Sequence, residues 1–330
     1  MKKHNDVHHE CPVFTCSYLI FPWLNPQELA SISITCKTLN KIAKSVTAAR
    51  SADASRSFEN LPIPFLNAID SHPYTYFLYT HTQLLPSTQF DRQFWGSTIL
   101  NFEPSIPRFP PIYPFWTIAE SSGCDCGEKC GDDAGCPCCA LKSGEVITEC
   151  GPSCKCGLEC RIRLTQKGVS VRVKVVRVKG KGWGLFADQF IPSGQFVCEY
   201  TGELLTTKEA RKRQDEYDRD SAAGLFSSAL LVVREHLPSG KACFRINIDA
   251  TRKGNIARFI NHSCDGGNLS TVIVRNSGAL IPRVCFFTSR DIDKDEELSF
   301  SYGDTRQRPE GLKCLCGSSN CFGVLPSENT

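Results

Sequence analysis

The sequence predicts a mainly β protein of several small sheets, flanked on both sides by cysteine-rich segments that bind metal. Three observations predict it. Short runs of alternating apolar and polar residues recur between residues 168 and 303, as in Val171–Val178, Gln195–Tyr200 and Phe244–Asp249. One charged, helical stretch, Thr207 to Asp218, breaks the series. The 20 cysteines of the 330-residue chain gather mostly before residue 168 and after residue 303, on either side of the β-rich part, which is where metal ligands rather than core residues are expected.

The first 60 residues carry a helical pattern. From Pro26 to Ala43, Leu29, Ile32, Cys36, Leu39 and Ile42 recur at three- and four-residue spacing, and Asn25-Pro26 supplies a start with proline at the first helical position. Residues 61–105 form a connecting segment rich in proline and aromatic residues, in which few periodic elements survive. It is expected to pack aromatic anchors onto its neighbour or to run as a loose linker. Within the β-rich part, Val284–Thr288 and Glu297–Tyr302 read as closing strands. The opening residues are not followed by an uninterrupted apolar run, so no secretory signal is expected, and no stretch is long enough to span a membrane. No basic stripe flanks the cysteines, which speaks against sequence-specific DNA binding.

The cysteines set a counting problem. Cys124, Cys126, Cys130, Cys136 and Cys138 lie in one loop region, and Cys150, Cys154, Cys156 and Cys160 follow. With Cys139 set aside, nine thiolates fill the twelve ligand positions of three tetrahedral zinc ions when three bridge two metals and six bind one. Two four-cysteine sites with spare thiols is the competing arithmetic, and a disulfide framework a third. Downstream, Cys314, Cys316 and Cys321 offer three thiolates and lack a fourth. Cys264, in Arg258-Phe-Ile-Asn-His-Ser-Cys, completes the set if the tail folds back onto Asn261 and His262.

Four motifs in order, Lys181-Gly-Trp-Gly-Leu, Glu199-Tyr-Thr-Gly-Glu-Leu, Arg258-Phe-Ile-Asn-His-Ser-Cys and Glu297-Leu-Ser-Phe-Ser-Tyr-Gly, resemble the SET domain of protein lysine methyltransferases. The nine cysteines resemble the pre-SET cluster and the tail cysteines the post-SET zinc site. Together they are similar to the Su(var)-type histone H3 lysine-nine methyltransferases, and most to the plant Su(var)-related group. The stretch Pro22–Ala43 also resembles the second half of an F-box, which docks onto a ubiquitin-ligase adaptor; a plain amphipathic helix is the alternative.

The resemblance implies a SET fold of small sheets tied by a pseudoknot. It divides the chain into a helical region 1–60, the connecting segment 61–105, a pre-SET cluster 106–167, a SET domain 168–303 and a post-SET tail 304–330. It implies S-adenosylmethionine as cofactor, three zincs in the cluster and one in the tail, histone H3 tail and chromatin as partners, and a nuclear location. Lys181, Gly182, Trp183, Arg258, Asn261, His262 and Tyr302 would hold the cofactor. Tyr302 would stand beside the transferring methyl, and Phe300 would line the lysine channel, leaving room for di- or trimethylation. The family's further tyrosine after the helix has no counterpart in Gly224–Val233, and Tyr217 lies earlier. The expectation is therefore a slow enzyme that works best on a monomethylated tail. A SET-fold binding module without turnover and a ubiquitin-ligase adaptor are the alternatives.

Overall fold

The computed structural model describes residues 12–86, 90–95, 117–118, 120–127, 130, 136–138, 142–143, 146–222, 228–236, 243–303 and 312–326. The N-terminal part is a unit of three helices: α1 (Pro12–Ile20), α2 (Pro26–Ser33) and α3 (Lys37–Ala52). The helix expected from Pro26 onward is in fact two. Asn25 and Glu28 bond each other's backbone at 2.9 and 2.8 Å and fix the start of α2. At the other end Ser33 and Thr35 turn their hydroxyls onto the carbonyls of Ala30 and Ile32, at 2.7 Å each, and the backbone leaves the helix. Cys36 then caps α3 and is exposed, while Leu29, Ile42, Ala43 and Val46 form the small core beneath. Hydrophobic spacing passes smoothly across this break, which is why periodicity alone does not reveal it.

The connecting segment is built into the β-rich body. β1 (Phe65–Leu66) pairs in parallel with β5 (Val173–Val178), which pairs with β6 (Gly182–Ala187). β2 (Leu78–Tyr79) pairs with the long strand β10 (Cys243–Gly254), which also carries β8 (Gly202–Leu205) and β9 (Leu230–His236). Phe65, Phe77 and Trp95 are buried in the main core, with ring centroids of Phe65 and Phe77 within 5.9 Å of Phe259. Arg50, fully buried at the end of α3, donates to the carbonyls of Pro22 (3.2 Å), Leu24 (2.6 Å) and Trp95 (3.3 Å), and so clamps the helices to this segment.

A five-stranded sheet follows the order β3 (Lys142–Ser143), β4 (Val146–Glu149), β12 (Leu269–Asn276), β13 (Arg283–Thr288), β7 (Phe196–Glu199). It joins the cysteine-rich region to the β-rich body directly, since β4 and β12 pair side by side. The long helix α4 (Thr207–Ala222) presents most of its charge run outward, but Arg213 turns in to Glu203 and Asp249 at 2.8 and 2.7 Å. Last, β11 (Asn261–His262) pairs in parallel with β14 (Ser299–Phe300), with His262 opposite Phe300. Ser263 N–H donates to Phe300 O at 2.9 Å and Gly267 bridges the same residue. Two segments nearly 40 residues apart are thus laced together, as a pseudoknotted fold requires.

Candidate active site and metal centres

The lacing brings most of the sequence-predicted residues to one place. Asn261 Nδ2 donates to Glu297 Oε1 at 2.8 Å and approaches Trp183 O at 3.4 Å, and Lys181 Nζ reaches Glu297 Oε2 at 2.7 Å. Glu297 therefore ties the Gly-Trp-Gly strand to the Asn-His strand. The approach is close enough that a Cβ on Gly184 would stand 3.0 Å from Asn261 Nδ2, Glu297 Oε1 and Phe186 alike. Gly182 has φ +93°, the left-handed region that only glycine enters at little cost. The Trp183 indole points the other way, edge-on to Phe65 at 5.3 Å, so it is the backbone of Lys181–Trp183 that faces Asn261.

His262 joins this group to Tyr302. The Tyr302 N–H donates to His262 Nδ1 at 3.2 Å, which leaves the ring proton on Nε2, and Nε2 lies 3.2 Å from Cys264 Sγ. Burial pushes the imidazole below its ordinary value and keeps it neutral in this tautomer. Tyr302 is packed against Phe300 at 4.9 Å and against His262 at 5.2 Å, and its hydroxyl donates to Ile260 O at 2.9 Å. Burial raises its pKa, so the phenol holds its proton throughout the neutral range. Phe286, 4.7 Å from Phe300, closes the aromatic wall.

Arg258 stands apart from the Lys181–Glu297–Asn261 chain. Its Nη2 donates to Thr251 O at 2.8 Å, and its guanidinium lies over Phe77 and Phe259 at 4.8 and 5.1 Å. Burial lowers it to about 10, and Nε and Nη1 are buried without a partner among the described residues. Unpaired buried cationic donors of this kind fit an anionic group such as a carboxylate.

Two residues of the site lie in the quoted motifs but were not singled out from the sequence. Glu297 opens the closing-strand motif. Tyr200, after β7, is buried; its ring centroid is 6.3 Å from Phe286, and Tyr302 and Arg258 lie near it. Its hydroxyl donates to Ala229 O at 2.7 Å. A second tyrosine thus comes from the end of β7 and meets the backbone of the very stretch, 224–233, that lacks one; residues 223–227 lie outside the described ones. Tyr217 is elsewhere, its hydroxyl donating to Asp249 at 2.7 Å.

The cysteine sulfurs converge as metal ligands do. Cys264, Cys314, Cys316 and Cys321 lie within 4.8 Å of one another, with Cys264 and Cys314 at 3.7 Å. A tetrahedral zinc–thiolate site with bonds of about 2.3 Å spaces its sulfurs by ~3.8 Å. In the cysteine-rich region Cys124, Cys130 and Cys150 form a triangle with edges of 3.5–3.7 Å. Around it lie overlapping quartets that share these sulfurs: Cys124, Cys126, Cys130 and Cys136; Cys124, Cys136, Cys138 and Cys150; Cys124, Cys130, Cys150 and Cys156. Cys154 is 3.7 Å from Cys138, and Cys160 interacts with Cys130 and Cys156. Burial pushes the Cys124 and Cys138 thiols up to about 11, so thiolates packed this closely call for cations among them. Among these described cysteines all are free thiols; Cys139 lies outside the described residues.

Residues 182–303 match the family described as the SET domain, the class that this laced fold and its Asn-His and tyrosine pocket define. Across 326 residues the chain is 56% identical to the histone-lysine N-methyltransferase SUVR3 of Arabidopsis thaliana, covering 96% of this chain and 92% of that protein. It is 32% identical over 300 residues to the Arabidopsis H3 lysine-9 specific histone-lysine N-methyltransferase SUVH6, covering 82% of this chain and 35% of that protein. The solved SUVH6 structure in complex with SAM superposes with a TM-score of 0.60 at 28% identity, over 83% of this chain and 55% of that one. A structure of KRYPTONITE with mCHH DNA, an H3(1–15) peptide and SAH superposes with a TM-score of 0.58 at 28% identity, over 82% and 52%. The chain belongs to the Su(var)-related SET-domain family and is an S-adenosylmethionine-dependent histone-lysine N-methyltransferase.

Proposed function

We propose that the chain methylates the histone H3 tail, at lysine nine, in the nucleus, and that its product contributes to chromatin silencing. The relative SUVH6 is named for H3 lysine 9 and KRYPTONITE holds an H3 peptide, which supports the assignment. The observation that carries the chemistry is the half-buried Tyr302, walled by Phe300 and His262 and joined through Ile260 and His262 to the Asn261 strand.

S-adenosylmethionine supplies a methyl group on a sulfonium, open to displacement by an amine. Lys181, Gly182, Trp183, Asn261 and His262 would hold it, with the unpaired donors of Arg258 meeting its carboxylate. The substrate lysine, at ~10.4 in water, must be neutral to attack. The ring wall of Phe286, Phe300, Tyr302 and Tyr200 excludes water and lowers that value. Tyr302 is no base here: its own proton is committed to Ile260 O and burial holds it there. Its oxygen accepts an amine N–H and aims the lone pair. Most of the acceleration then comes from alignment.

The metals are part of the same proposal. Each edge of the Cys124–Cys130–Cys150 triangle would bridge into one zinc: Cys126 and Cys136 complete the first, Cys138 and Cys154 the second, Cys156 and Cys160 the third. A fourth zinc on Cys264, Cys314, Cys316 and Cys321 pins the tail beside His262. The test is mass spectrometry of histone tails after incubation with labelled S-adenosylmethionine and intact histones, in which H3 lysine nine should carry the label; label on another residue refutes the substrate assignment.

A second reading concerns the N-terminal helices. Val13, Ile20 and Ile34 are 60, 53 and 84% exposed, which is the kind of apolar surface a ubiquitin-ligase adaptor would cover. Co-purification of a ligase scaffold that is lost in Ile20→Asp would support it, and an unchanged set of partners would end it.

A further inference from the structure

A cavity of about 530 Å³ opens between the connecting segment, the cysteine-rich region and β7. It shares no lining residue with the Lys181–Glu297–Asn261 chain or with Phe300 and Tyr302. Phe58, Leu158, Val169, Phe196, Leu204 and Ile281 make its walls apolar. Most polar groups around it are already engaged. Arg283 binds Glu199 and Thr165, Glu59 accepts from the Tyr79 hydroxyl and the Val169 N–H, and Lys167 stands 3.8 Å from Glu159. The amides of Gln83 and Asn255 donate to the carbonyls of Tyr200 and Glu199, at 2.7 Å each. A buried amide oxygen is left over. Asn276, only 9% exposed, spends its Nδ2 on Cys150 O, while its Oδ1 is buried without a donor among the described residues.

We propose that this cavity is an effector site for a neutral, largely apolar small molecule with one hydrogen-bond donor, which it gives to Asn276 Oδ1. The volume falls in the range of pockets that enclose small ligands, roughly 300–1,000 Å³. A charged ligand would compete with the hydrogen bonds that already engage Arg283, Glu199 and Glu59. A purely apolar one leaves the buried acceptor unsatisfied.

Occupancy reaches the methyl-transfer site by two short links. Gln83 holds the carbonyl of Tyr200, whose ring lies beside Phe286. Asn255 holds Glu199 O with Nδ2 and, with Oδ1, accepts from Ala257 N–H, fixing the 3₁₀ turn Ile256–Phe259 that carries Arg258. A ligand that shifts either amide re-aims Tyr200 or Arg258 and changes turnover by differential contact with the two arrangements. This coupling rests on the place of Tyr200 and Arg258 in the proposed mechanism; the binding site itself does not.

The experiment uses N-phenyl-1-naphthylamine, a neutral aromatic amine with one N–H whose emission rises when it leaves water, titrated into the zinc-loaded full chain. One saturable site is expected, retained in the presence of S-adenosylhomocysteine. Ile281→Trp, which fills the cavity from its wall, should abolish the signal while methyl transfer persists. Asn276→Leu should weaken binding about fivefold, the worth of one hydrogen bond. Circular dichroism checks that each variant folds, and Ala279→Phe replaces Ile281→Trp if that one does not. Bound probe should change kcat/KM for an H3 peptide at least about twofold in the wild type and leave Ile281→Trp unaffected. No saturable binding, binding that ignores these substitutions, or displacement by S-adenosylhomocysteine overturns the site. Binding in the cavity with unaltered kinetics overturns the effector role.

Discussion

Replacing Cys264 by serine takes one sulfur from a four-thiolate set whose members lie within 4.8 Å of one another. A structural zinc contributes roughly 10–16 kcal/mol, so one ligand in four is worth about 2.5–4 kcal/mol, or two to three powers of ten in metal affinity. The consequence for the tail is larger than for the metal. Besides the thiolates, residues 312–326 meet the catalytic body through contacts such as Leu315 against Gly180 and Ser318 with Asp265. Cys264 also receives His262 Nε2, and His262 in turn fixes the Tyr302 backbone. Cys264→Ser should therefore lower zinc content from about four to about three per chain. It should also reduce methyl transfer as severely as Cys314→Ser, which removes the same metal without touching the His262 contact. Elemental analysis of purified protein and a labelled-methyl assay decide it, with Cys139→Ser as a control that keeps both metal and activity. A Cys264→Ser protein with full zinc and full turnover would refute the shared site.

Bridging and terminal thiolates should behave differently: Cys126→Ser should lose about one zinc, whereas Cys130→Ser, which serves two metals, should empty the cluster and unfold the region, as zinc content and thermal melting will report. Equal losses would contradict the triangle. His262→Ala should weaken cofactor binding by about 1–3 kcal/mol in calorimetry. Tyr302→Phe should leave that affinity nearly unchanged while turnover drops on the order of a hundredfold or more. Turnover should climb with pH as the substrate amine loses its proton toward ~10.4. Because burial raises Tyr302, its phenol stays protonated below its ordinary value of 10.0 and no fall in rate from tyrosinate is expected there. A bell with its descending limb below pH 9 would count against Tyr302 as a neutral orienter.

The parts that were legible in the sequence are those where residue type dictates geometry. Thiolates at C-x-C-x4-C cannot satisfy a tetrahedron alone, so valence asked for a fourth ligand; Cys264 was the expected one, and the four sulfurs do meet. Asn261 and His262 were marked by their motif and stand at the laced strands. What spacing does not carry is direction. The Gly-Trp-Gly motif marks a backbone, but nothing in it says where the Trp183 ring goes; Phe65, from the proline-rich segment more than 100 residues earlier, packs against it at the core. Glu297 was passed over because a carboxylate at the start of a strand has no pattern of its own. Its role comes from meeting Lys181 and Asn261 in space. The break at Ile34–Cys36 was hidden because hydroxyl competition for carbonyls leaves hydrophobic periodicity intact.

Tyr200 changes the expectation for the product. A slow first transfer was expected because the stretch after α4 has no tyrosine, but a buried tyrosine reaches the aromatic wall from β7 instead. Its hydroxyl and that of Tyr302 donate to the carbonyls of Ala229 and Ile260, at 2.7 and 2.9 Å. Burial raises both phenols, so both remain protonated with their hydrogens spent and only lone pairs left to offer. A neutral lysine amine has two N–H groups for those two acceptors, a monomethylated amine has one and a dimethylated amine none. Phe300 leaves volume for each product, whereas orientation weakens at every step. On peptides of equal length the rate should thus fall from unmodified to monomethyl to dimethyl substrate, with dimethyl-lysine accumulating before any trimethyl-lysine. Phe300→Tyr should stop the series earlier and spare the first transfer. A time course by mass spectrometry on the three peptides measures this, and a dimethylated peptide consumed faster than the unmodified one would show that volume, not the paired tyrosine acceptors, sets the order.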